Sequence, residues 1–285
     1  ISIQNISPKR KQEIIEACLK FNTKVLNVPP VKTWINGELS FKQIKKVNIE
    51  DLLSRDPIQL DLTRIKSTVR GKTILISGAA GSIGSEIVRQ LIPFEPKKLI
   101  LLDMAESPLY ELELDIKESA DFRVDAETVI GDVRNMERMR NVYDTFRPQI
   151  VFHAAAYKHV PVMENNPSES ILNNVMGTKI MADLAHEFHI EKFVMISTDK
   201  AVNPTNIMGA TKRIAEIYIQ SLDKVSKTQF ITTRFGNVLG SNGSVIPRFK
   251  KQIEMGLPIT VTHPEITRFF MTISEACQLV LEAAS

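Results

Sequence analysis

The chain has 285 residues, of which 36 are basic and 33 are acidic, and its formal net charge is +3. The basic residues are scattered along the chain, which argues against a nucleic-acid partner, since such proteins concentrate positive charge on one surface. No apolar run approaches the ~20 residues that cross a bilayer, no signal peptide opens the chain, and Cys18 and Cys277 lack the spacing of a metal site or a disulfide framework.

The first 70 residues are interpreted as the tail of an upstream domain followed by a linker arm. Residues 8–28 are typical of an amphipathic helix and a short strand, and four apolar residues share one face of that helix: Ile14, Ile15, Cys18 and Leu19. Further along, a turn is predicted at Asn36-Gly37 and a short helix at Ile49–Ser54. Because a helix opens the chain with no fold before it, a fragment of a longer protein is expected.

From residue 71 onward, strand-like and helix-like patterns alternate. Six apolar runs predict strands: 73–77, 98–102, 128–130, 150–152, 192–197 and 229–233. Amphipathic stretches of helical length lie between them: about 83–92, 107–118, 135–146, 168–189 and 208–225. This alternation predicts an α/β domain over 71–285 with a doubly wound parallel sheet, covered on both faces, and ligands at the carboxyl ends of its strands. The regularity ends after residue 235, so 235–285 is expected to contain a small substrate-binding part.

A glycine-rich turn follows the first predicted strand and opens the first helix of this domain. Gly78, Gly81 and Gly84 have the spacing for a tight turn, a close backbone approach to phosphate, and close packing of helix on strand. Ser82 and Ile83 begin the helix, whose free N–H groups and dipole attract a pyrophosphate. Since the strand and the helix that this motif requires are both present, the turn predicts a nicotinamide dinucleotide site.

Acidic residues after the next two strands predict which dinucleotide binds. Asp103 ends the second strand, where its carboxylate can accept a hydrogen bond from the ribose 2′-hydroxyl and would repel a 2′-phosphate. No arginine or lysine lies in the glycine turn or in 104–107 to pair with such a phosphate. NAD is therefore predicted rather than NADP. Asp132 and Val133, after the third strand, are expected to lie beside the adenine.

Motifs after the later strands resemble those of extended short-chain dehydrogenase/reductases that act on nucleotide sugars. The matching segments are Ser77–Gly84, His153–Ala156, Asn174–Thr178 and Ser197-Thr198. The resemblance implies that Ala154 and Ala155 contact the cofactor and that Lys212 anchors its ribose. The family's Tyr-x-x-x-Lys pair is Met208-Gly-Ala-Thr-Lys212 here. Methionine has no ionisable proton, so it cannot take over the acid–base role of that tyrosine.

The segment from Ser197 to Pro204 (STDKAVNP), with Met208 after it, resembles the large membrane-anchored UDP-N-acetylglucosamine 4,6-dehydratases of bacterial polysaccharide biosynthesis. Such an enzyme takes a hydride from C4 and a proton from C5, expels the C6 hydroxyl and returns the hydride to C6. It needs a base and an acid together beside the sugar. The resemblance implies Thr198 at the C4 hydroxyl, Asp199 as the acid for C6, and a neutral Lys200 as the C5 base.

The resemblance also marks residues for a UDP-sugar substrate. They follow the fourth strand, lie in the next helix, or belong to the C-terminal part: Lys158, Asn174, Asn237, Ser244, Val245 and Arg268. Lys158 and Arg268 bring positive charge for a diphosphate. The glycines around Asn237 let backbone N–H groups approach the same phosphates. No metal site is expected, because His186, His189 and His263 lack ligand spacing.

Two other functions remain open at this stage. A nucleotide-sugar 4-epimerase would use the redox step at C4 without elimination at C6, and a non-catalytic NAD-binding module is suggested by Met208. The resemblance places the catalytic domain at the cytoplasmic face of the bacterial inner membrane, in a membrane-anchored parent protein. No membrane contact is expected of this fragment itself, and a homo-oligomer is suggested only by analogy with similar folds.

Overall fold

A computed structural model describes residues 1–3, 6–21, 25–28, 45–46, 62–118, 124–241, 243, 245–261, 263, 265 and 267–285. The chain divides into two compact units, Ile1–Gln59 and Leu60–Ser285. In the first unit, helix α1 spans Pro8–Lys20, and strand β1 (Leu26–Asn27) pairs antiparallel with β2 (Lys45–Lys46). The helix and the short strand predicted within 8–28 are thus confirmed. The turn predicted at Asn36-Gly37 and the helix predicted at Ile49–Ser54 lie outside the described residues.

The second unit is built on a six-stranded sheet in which every pairing is parallel. Its strands are β3 (Thr73–Ser77), β4 (Lys98–Asp103), β5 (Asp125–Ile130), β6 (Ile150–His153), β7 (Lys192–Thr198) and β8 (Gln229–Phe235). They lie in the order β5-β4-β3-β6-β7-β8. The chain therefore runs outward from β3 to β5 and then continues on the other side of β3, which makes the sheet doubly wound and confirms the predicted fold class.

Helices cover both faces of this sheet. Up to β8 they are α2 (Leu62–Val69), α3 (Ser82–Leu91), α4 (Glu106–Lys117), α5 (Met136–Phe146), α6 (Val160–Glu164), α7 (Pro167–Ser170), α8 (Thr178–Glu187) and α9 (Ile207–Asp223). All five residues of β3 are buried, as an apolar strand between two helical layers requires. Ile74 and Ile76 pack into the cluster with α2, α3 and α4, whereas Leu75 packs into the cluster with α5, α8 and α9.

The single helix predicted at 168–189 is divided into α7, a π-helical segment at Ile171–Gly177, and α8. Asn173 and Asn174 in the π-helical segment are both buried. At Gly177, an added Cβ would lie 2.8 Å from a methyl carbon of Val133, so the helix can pack this closely only with glycine there. π-helical turns are frequent at functional sites, and an apolar pattern does not distinguish them from an α-helix.

After β8 the chain forms β9 (Asn237–Val238), α10 (Val245–Glu254), β10 (Phe270–Met271) and α11 (Ile273–Ala284), with β9 and β10 paired in parallel. The structure places α11 in the main core rather than in a substrate-binding part, because Val280 and Leu281 pack into the same cluster as α3. Helix α2 joins this cluster through Ile65 and Val69, although the sequence predicted it as part of the arm. Within the described residues, no helix is long and apolar enough to cross a membrane.

Candidate active site

The candidate site lies where β3 and β6 are neighbours. The chain connections run away from this point in opposite directions, and a doubly wound sheet binds its ligands in the crevice that opens there at the carboxyl ends of the strands. A cavity of about 680 Å³ is formed by residues that follow β6, β7 and β8. Ten of the predicted site residues line it: Ile83, Ala154, Lys158, Thr198, Lys200, Met208, Lys212, Asn237, Val245 and Arg268.

The glycine turn lies directly against the end of β6. Gly78 has a left-handed φ of +71°, and a Cβ there would lie 2.5 Å from the backbone nitrogen of Ala155. At Gly84, an added Cβ would lie 2.1 Å from the carbonyl oxygen of Gly78. Glycine is therefore required at both positions. Gly81 is the N-cap of α3 and makes no side-chain cap hydrogen bond, and the helix dipole favours a negative charge at this end of the helix.

Asp103 is held beside this turn by two backbone groups. Its Oδ2 accepts a hydrogen bond from the N–H of Ala80 at 3.0 Å, and its Oδ1 accepts one from Ala105 at 3.0 Å. The carboxylate at the end of β4 thus lies next to the glycine turn, where a ribose contact was predicted.

Asp132 and Val133 have other partners. Arg134 donates to both carboxylate oxygens of Asp132, with its Nε 3.0 and 2.8 Å away, and these hydrogen bonds lower the pKa of Asp132 against the opposing effect of burial. The Val133 side chain is 5% exposed and packs into the core. The contact with adenine stays a prediction, and at Val133 it would have to use the backbone.

Thr198, Asp199 and Lys200 form one hydrogen-bonded group at the end of β7. The Thr198 hydroxyl donates to Asp199 Oδ1 at 2.9 Å, and Lys200 Nζ donates to the same oxygen at 3.0 Å. Lys200 Nζ also donates to Asn237 Oδ1 at 3.3 Å. Burial raises the pKa of Asp199, but the hydrogen bonds from Lys200 and Thr198 outweigh it, and the net shift is downward. Thr198 and Lys200, which line the cavity, are therefore connected through the carboxylate of Asp199, which is not among the lining residues.

Met208 and Lys212 lie one turn apart on α9, and both line the same cavity. Met208 is 3% exposed and Lys212 is 4% exposed. Burial lowers the pKa of Lys212 to about 8, although the charge of Glu216 acts in the opposite direction. Helix α9 approaches the Asp199–Ala201 turn closely because residue 209 is glycine: a Cβ there would lie 2.4 Å from the carbonyl oxygen of Lys200.

His153 is a buried polar residue that the sequence analysis quoted only within a motif. Its Nδ1 is 2.7 Å from Ser77 Oγ and its Nε2 is 3.0 Å from Thr178 Oγ1, so it connects the ends of β3 and β6 to α8. Burial, together with the charge of Lys212, lowers its pKa to about 3. His153 is therefore neutral near pH 7 and supports the floor of the site.

Asn174 is not among the residues that line the cavity, and the substrate contact implied for it stays a prediction. The side chain is fully buried. Its Oδ1 accepts from the Tyr157 N–H at 2.8 Å, while its Nδ2 donates to the Tyr157 carbonyl at 3.0 Å and to Thr211 Oγ1 at 3.2 Å. Asn174 thus holds the loop that leads into Lys158 and affects the cavity through that loop.

The outer wall of the cavity carries the charges predicted for a diphosphate. Lys158 lies there, and partial burial lowers the pKa of its ammonium. Arg268 is exposed, with Nη1 2.9 Å from the carbonyl oxygen of Thr267. Ser244, predicted to touch substrate, lies outside the described residues. His159 was not predicted but also lines this wall, where a Cβ on Gly243 would lie 2.5 Å from its ring.

Glu216 on α9 is a further residue that was not predicted. Its side chain is fully buried and accepts hydrogen bonds from Arg234 and Arg213. Arg234, near the end of β8, is thus engaged with Glu216. A sequence signal did exist, because Glu216 falls four residues after Lys212 on the face of α9 that is otherwise buried.

The chain is similar to known proteins along its length. The family described as polysaccharide biosynthesis protein matches residues 74–285. The chain belongs to this family. It is 52% identical over 286 residues to the capsular polysaccharide biosynthesis protein CapD of Staphylococcus aureus, a match that covers 100% of this chain and 48% of CapD. The chain thus spans about half the length of this relative.

Two further relatives and one solved structure complete the comparison. A UDP-N-acetylglucosamine 4,6-dehydratase (inverting) of Campylobacter jejuni is 40% identical over 222 residues, which is 74% of this chain and 63% of that protein. A UDP-glucose 4-epimerase of Rickettsia canadensis is 36% identical over 220 residues, or 74% and 62% of the two chains. The structure of Pen from Bacillus thuringiensis matches with a TM-score of 0.70 at 37% identity, covering 75% of this chain and 65% of that one. The resemblance to extended short-chain dehydrogenase/reductases is confirmed.

Proposed function

We propose that this chain carries the catalytic domain of an NAD-dependent nucleotide-sugar 4,6-dehydratase, whose substrate is UDP-N-acetylglucosamine or a close relative. The observation that supports it is the hydrogen-bonded group of Thr198, Asp199 and Lys200 at the cavity, with Met208 nearby. This group supplies the acid and the base that an elimination needs. The names of CapD and of the Campylobacter jejuni dehydratase agree with such a role in polysaccharide biosynthesis.

The glycine turn and the end of β4 fit NAD. A Cβ at Gly78 or Gly84 would meet the protein's own backbone, so glycine lets the turn fold as tightly as a dinucleotide-binding turn requires. Asp103 lies beside it and would repel a 2′-phosphate, which favours NAD over NADP. Lys212, inside the cavity, would bind the nicotinamide ribose. When bound, NAD supplies the acceptor that holds the C4 hydride until its return to C6.

The hydrogen bonds at the end of β7 suggest where the proton of the C4 hydroxyl goes when no tyrosine is present. The C4 hydroxyl would donate to Thr198 Oγ1, whose own proton is already directed to Asp199 Oδ1. When the proton moves along these two bonds and the hydride leaves C4, C4 becomes a carbonyl carbon and Asp199 becomes protonated. The lowered pKa of Asp199 means that it begins ionised, so this transfer provides the proton it needs as an acid.

The other protons balance within the same group. Lys200 first releases its ammonium proton to solvent and, as a neutral amine, takes the proton from C5. Asp199 then gives its proton to the departing C6 oxygen, which leaves as water. When the hydride has returned to C6, the Lys200 ammonium gives its proton back to C5. The sugar has then lost one water molecule, Asp199 is ionised again and Lys200 is again a neutral amine.

A nucleotide-sugar 4-epimerase is the second candidate, because one relative carries the name UDP-glucose 4-epimerase. An epimerase has to exchange a proton at the C4 oxygen and has no need of an acid at C6. The path through Thr198 to Asp199 could serve that exchange, but Lys200 as a base for C5 would have no role in an epimerase. A non-catalytic NAD-binding module would leave both Asp199 and Lys200 without a role.

The outer wall is the proposed site for the uridine diphosphate. Lys158 and Arg268 bring two positive charges to one cavity, which is also lined by Asn237, the residue that accepts a hydrogen bond from Lys200. Arginine is well suited to such a site, because its guanidinium can form two parallel hydrogen bonds with phosphate oxygens. The membrane-anchored parent protein, its place at the cytoplasmic face and a homo-oligomer stay predictions.

Mass spectrometry of the intact protein incubated with NAD and UDP-N-acetylglucosamine separates the three candidates. A dehydratase gives a product lighter by one water molecule, an epimerase gives one of equal mass, and a binding module leaves the substrate unchanged. In the Lys200→Met variant we expect no loss of water and unchanged NAD binding. Sustained turnover in that variant would remove Lys200 from the mechanism.

A further inference from the structure

Glu216 is a buried carboxylate to which the proposed reaction gives no role. Its side chain is 0% exposed. Arg234 donates to both of its oxygens, with Nε 2.7 Å from Oε1, and Arg213 Nη1 lies 3.1 Å from Oε2. Removing a carboxylate from water is unfavourable unless its lone pairs are satisfied in this way. The position of this charge among the elements of the site suggests what it does there.

Glu216 connects the ends of the two strands that carry the catalytic group. Arg234 lies on β8, three residues before Asn237, which accepts the hydrogen bond from Lys200. Ser197 lies opposite Arg234 in the pairing of β7 with β8 and directly precedes Thr198. Its hydroxyl lacks a hydrogen bond of regular geometry within the described residues, yet it lies close enough to Glu216 to lower the pKa of that carboxyl. One carboxylate therefore joins both strand ends to α9.

Glu216 also acts on Lys212, one turn earlier on the same helix. Burial alone would raise the pKa of Glu216, but the hydrogen bonds from Arg234 and Arg213, together with the nearby Ser197 hydroxyl, keep it below its ordinary value, so the group is ionised at neutral pH. Its negative charge raises the pKa of Lys212, against the larger lowering by burial. The ammonium of Lys212 thus depends on Glu216 for electrostatic support.

Other charges on the elements around α9 have partners of their own or lie in the catalytic group. They are His153 on β6, Glu164 on α6, Lys179 with Asp183 on α8, Asp199 with Lys200 after β7, and Arg234 on β8. His153 is neutral near pH 7 because burial lowers its pKa to about 3, and Lys179 is paired with Asp183. The negative charge that raises the pKa of Lys212 is that of Glu216.

We propose that Glu216 is a positioning residue that holds the ends of β7 and β8 and helix α9 as one unit around the reacting sugar, and that its charge supports the ammonium of Lys212 one turn away. The proposal rests on the proposed dehydratase function for the meaning of that unit. The effect of Glu216 on Lys212 is a property of the free protein, however, and can be measured without any ligand.

The first test is an NMR titration of Lys212 in protein labelled with ¹³C at the lysine Cε atoms, without NAD or sugar. In Glu216→Gln, which keeps the shape but removes the charge, we expect the midpoint for Lys212 to fall by about one pH unit. In Asp183→Asn, a matched loss of a paired carboxylate on α8, the midpoint should stay as in the wild type. An unchanged midpoint in folded Glu216→Gln protein would overturn the proposal, whether or not the protein proves to be a dehydratase.

NAD binding gives a second readout for the same variants. With the Lys212 midpoint moved from about 8 to about 7, NAD should bind about fivefold more weakly to Glu216→Gln at pH 8 and equally well at pH 6. A purely structural defect would weaken binding equally at both pH values, and that result would count against the proposal.

The Arg234→Lys variant keeps the positive charge but loses the two-point contact with Glu216, and it tests the strand ends even if Glu216→Gln does not fold. We expect at least about threefold weaker binding of UDP-N-acetylglucosamine by calorimetry, because Asn237 would lose its fixed position. The NMR midpoint of Lys212 should stay near that of the wild type, since Glu216 remains. Unchanged sugar-nucleotide binding would overturn this part. If the wild type itself binds no UDP-N-acetylglucosamine, the proposed function fails. The NMR midpoint of Lys212 in Arg234→Lys then tests the role of Glu216 without the sugar nucleotide. A shift of that midpoint would contradict the role assigned to the Glu216 charge.

Discussion

Replacing Lys212 by methionine should make the protein more stable at neutral pH, although it removes a residue of the proposed site. Lys212 is 4% exposed, and burial lowers its pKa from the ordinary 10.5 to about 8. Below pH 8 the folded protein therefore holds a buried ammonium that the unfolded chain would keep in water. Methionine has a similar length without the charge, and it removes this unfavourable term.

The size of the effect follows from the two pKa values. The gap between 10.5 and about 8, at about 1.4 kcal/mol for each pKa unit, corresponds to about 3 kcal/mol at pH 7. Between pH 8 and 10.5 the unfolded chain binds more protons at this site than the folded protein does. The stability contributed by this group in the wild type therefore rises with pH across that window. The advantage of the Lys212→Met variant should shrink by about 2.5 kcal/mol between pH 7 and pH 10.

Urea denaturation of both proteins at several pH values from 7 to 10 measures this change. Lys179→Met is a suitable control, since Lys179 on α8 is paired with Asp183, which raises its pKa instead of lowering it. The control should be no more stable than the wild type at pH 7. A difference in stability between Lys212→Met and the wild type that stays constant from pH 7 to pH 10 would refute the reasoning.

Three other predictions concern the site. Gly84→Ala should abolish NAD binding in calorimetry, because its Cβ would lie 2.1 Å from the Gly78 carbonyl oxygen. Gly81→Ala should weaken binding less, because its Cβ would lie 3.2 Å from the same oxygen. Equal losses in the two variants would contradict this geometry. Thr198→Val should lower kcat by at least about 100-fold with unchanged NAD affinity, and Thr198→Ser should keep most activity, because only the hydroxyl can pass the C4 proton; an active valine variant would exclude this path. The stability of the wild type should fall as the pH drops from 6.5 toward 3, because His153 has a folded pKa of about 3 and the unfolded chain binds more protons in that window. The His153→Gln variant should show a weaker dependence of stability on pH. An unaltered dependence would argue against a neutral buried histidine.

Much of the fold could be predicted because its signals are local. The buried strands are continuous apolar runs, and the glycine spacing at 78, 81 and 84 reflects the backbone that one tight turn requires. The neighbouring Asp199 and Lys200 could be predicted as a pair because they follow the same strand. The break in the helix at Ile171–Gly177 could not, because π-helical turns keep the same kind of apolar pattern.

The contacts between distant segments depended on the tertiary structure. Lys200 meets Asn237 because β7 and β8 are adjacent and the turn at Gly236 brings the chain back to the cavity. Asn174 matches a family motif, but only the packed fold shows that its buried side chain holds the Tyr157 backbone. No local pattern contains such information, since burial and partner choice are properties of packed elements.

The amino-acid sequence by itself thus determined the doubly wound sheet, the dinucleotide turn and the chemical types available for catalysis, because periodicity and backbone geometry are set by neighbouring residues. The tertiary structure decided which side chains are buried, which are charged, and which partners they have. Lys212 shows the difference clearly: its spacing from Met208 is visible in the sequence, whereas its lowered pKa arises from the desolvation and the Glu216 charge that the packed fold imposes.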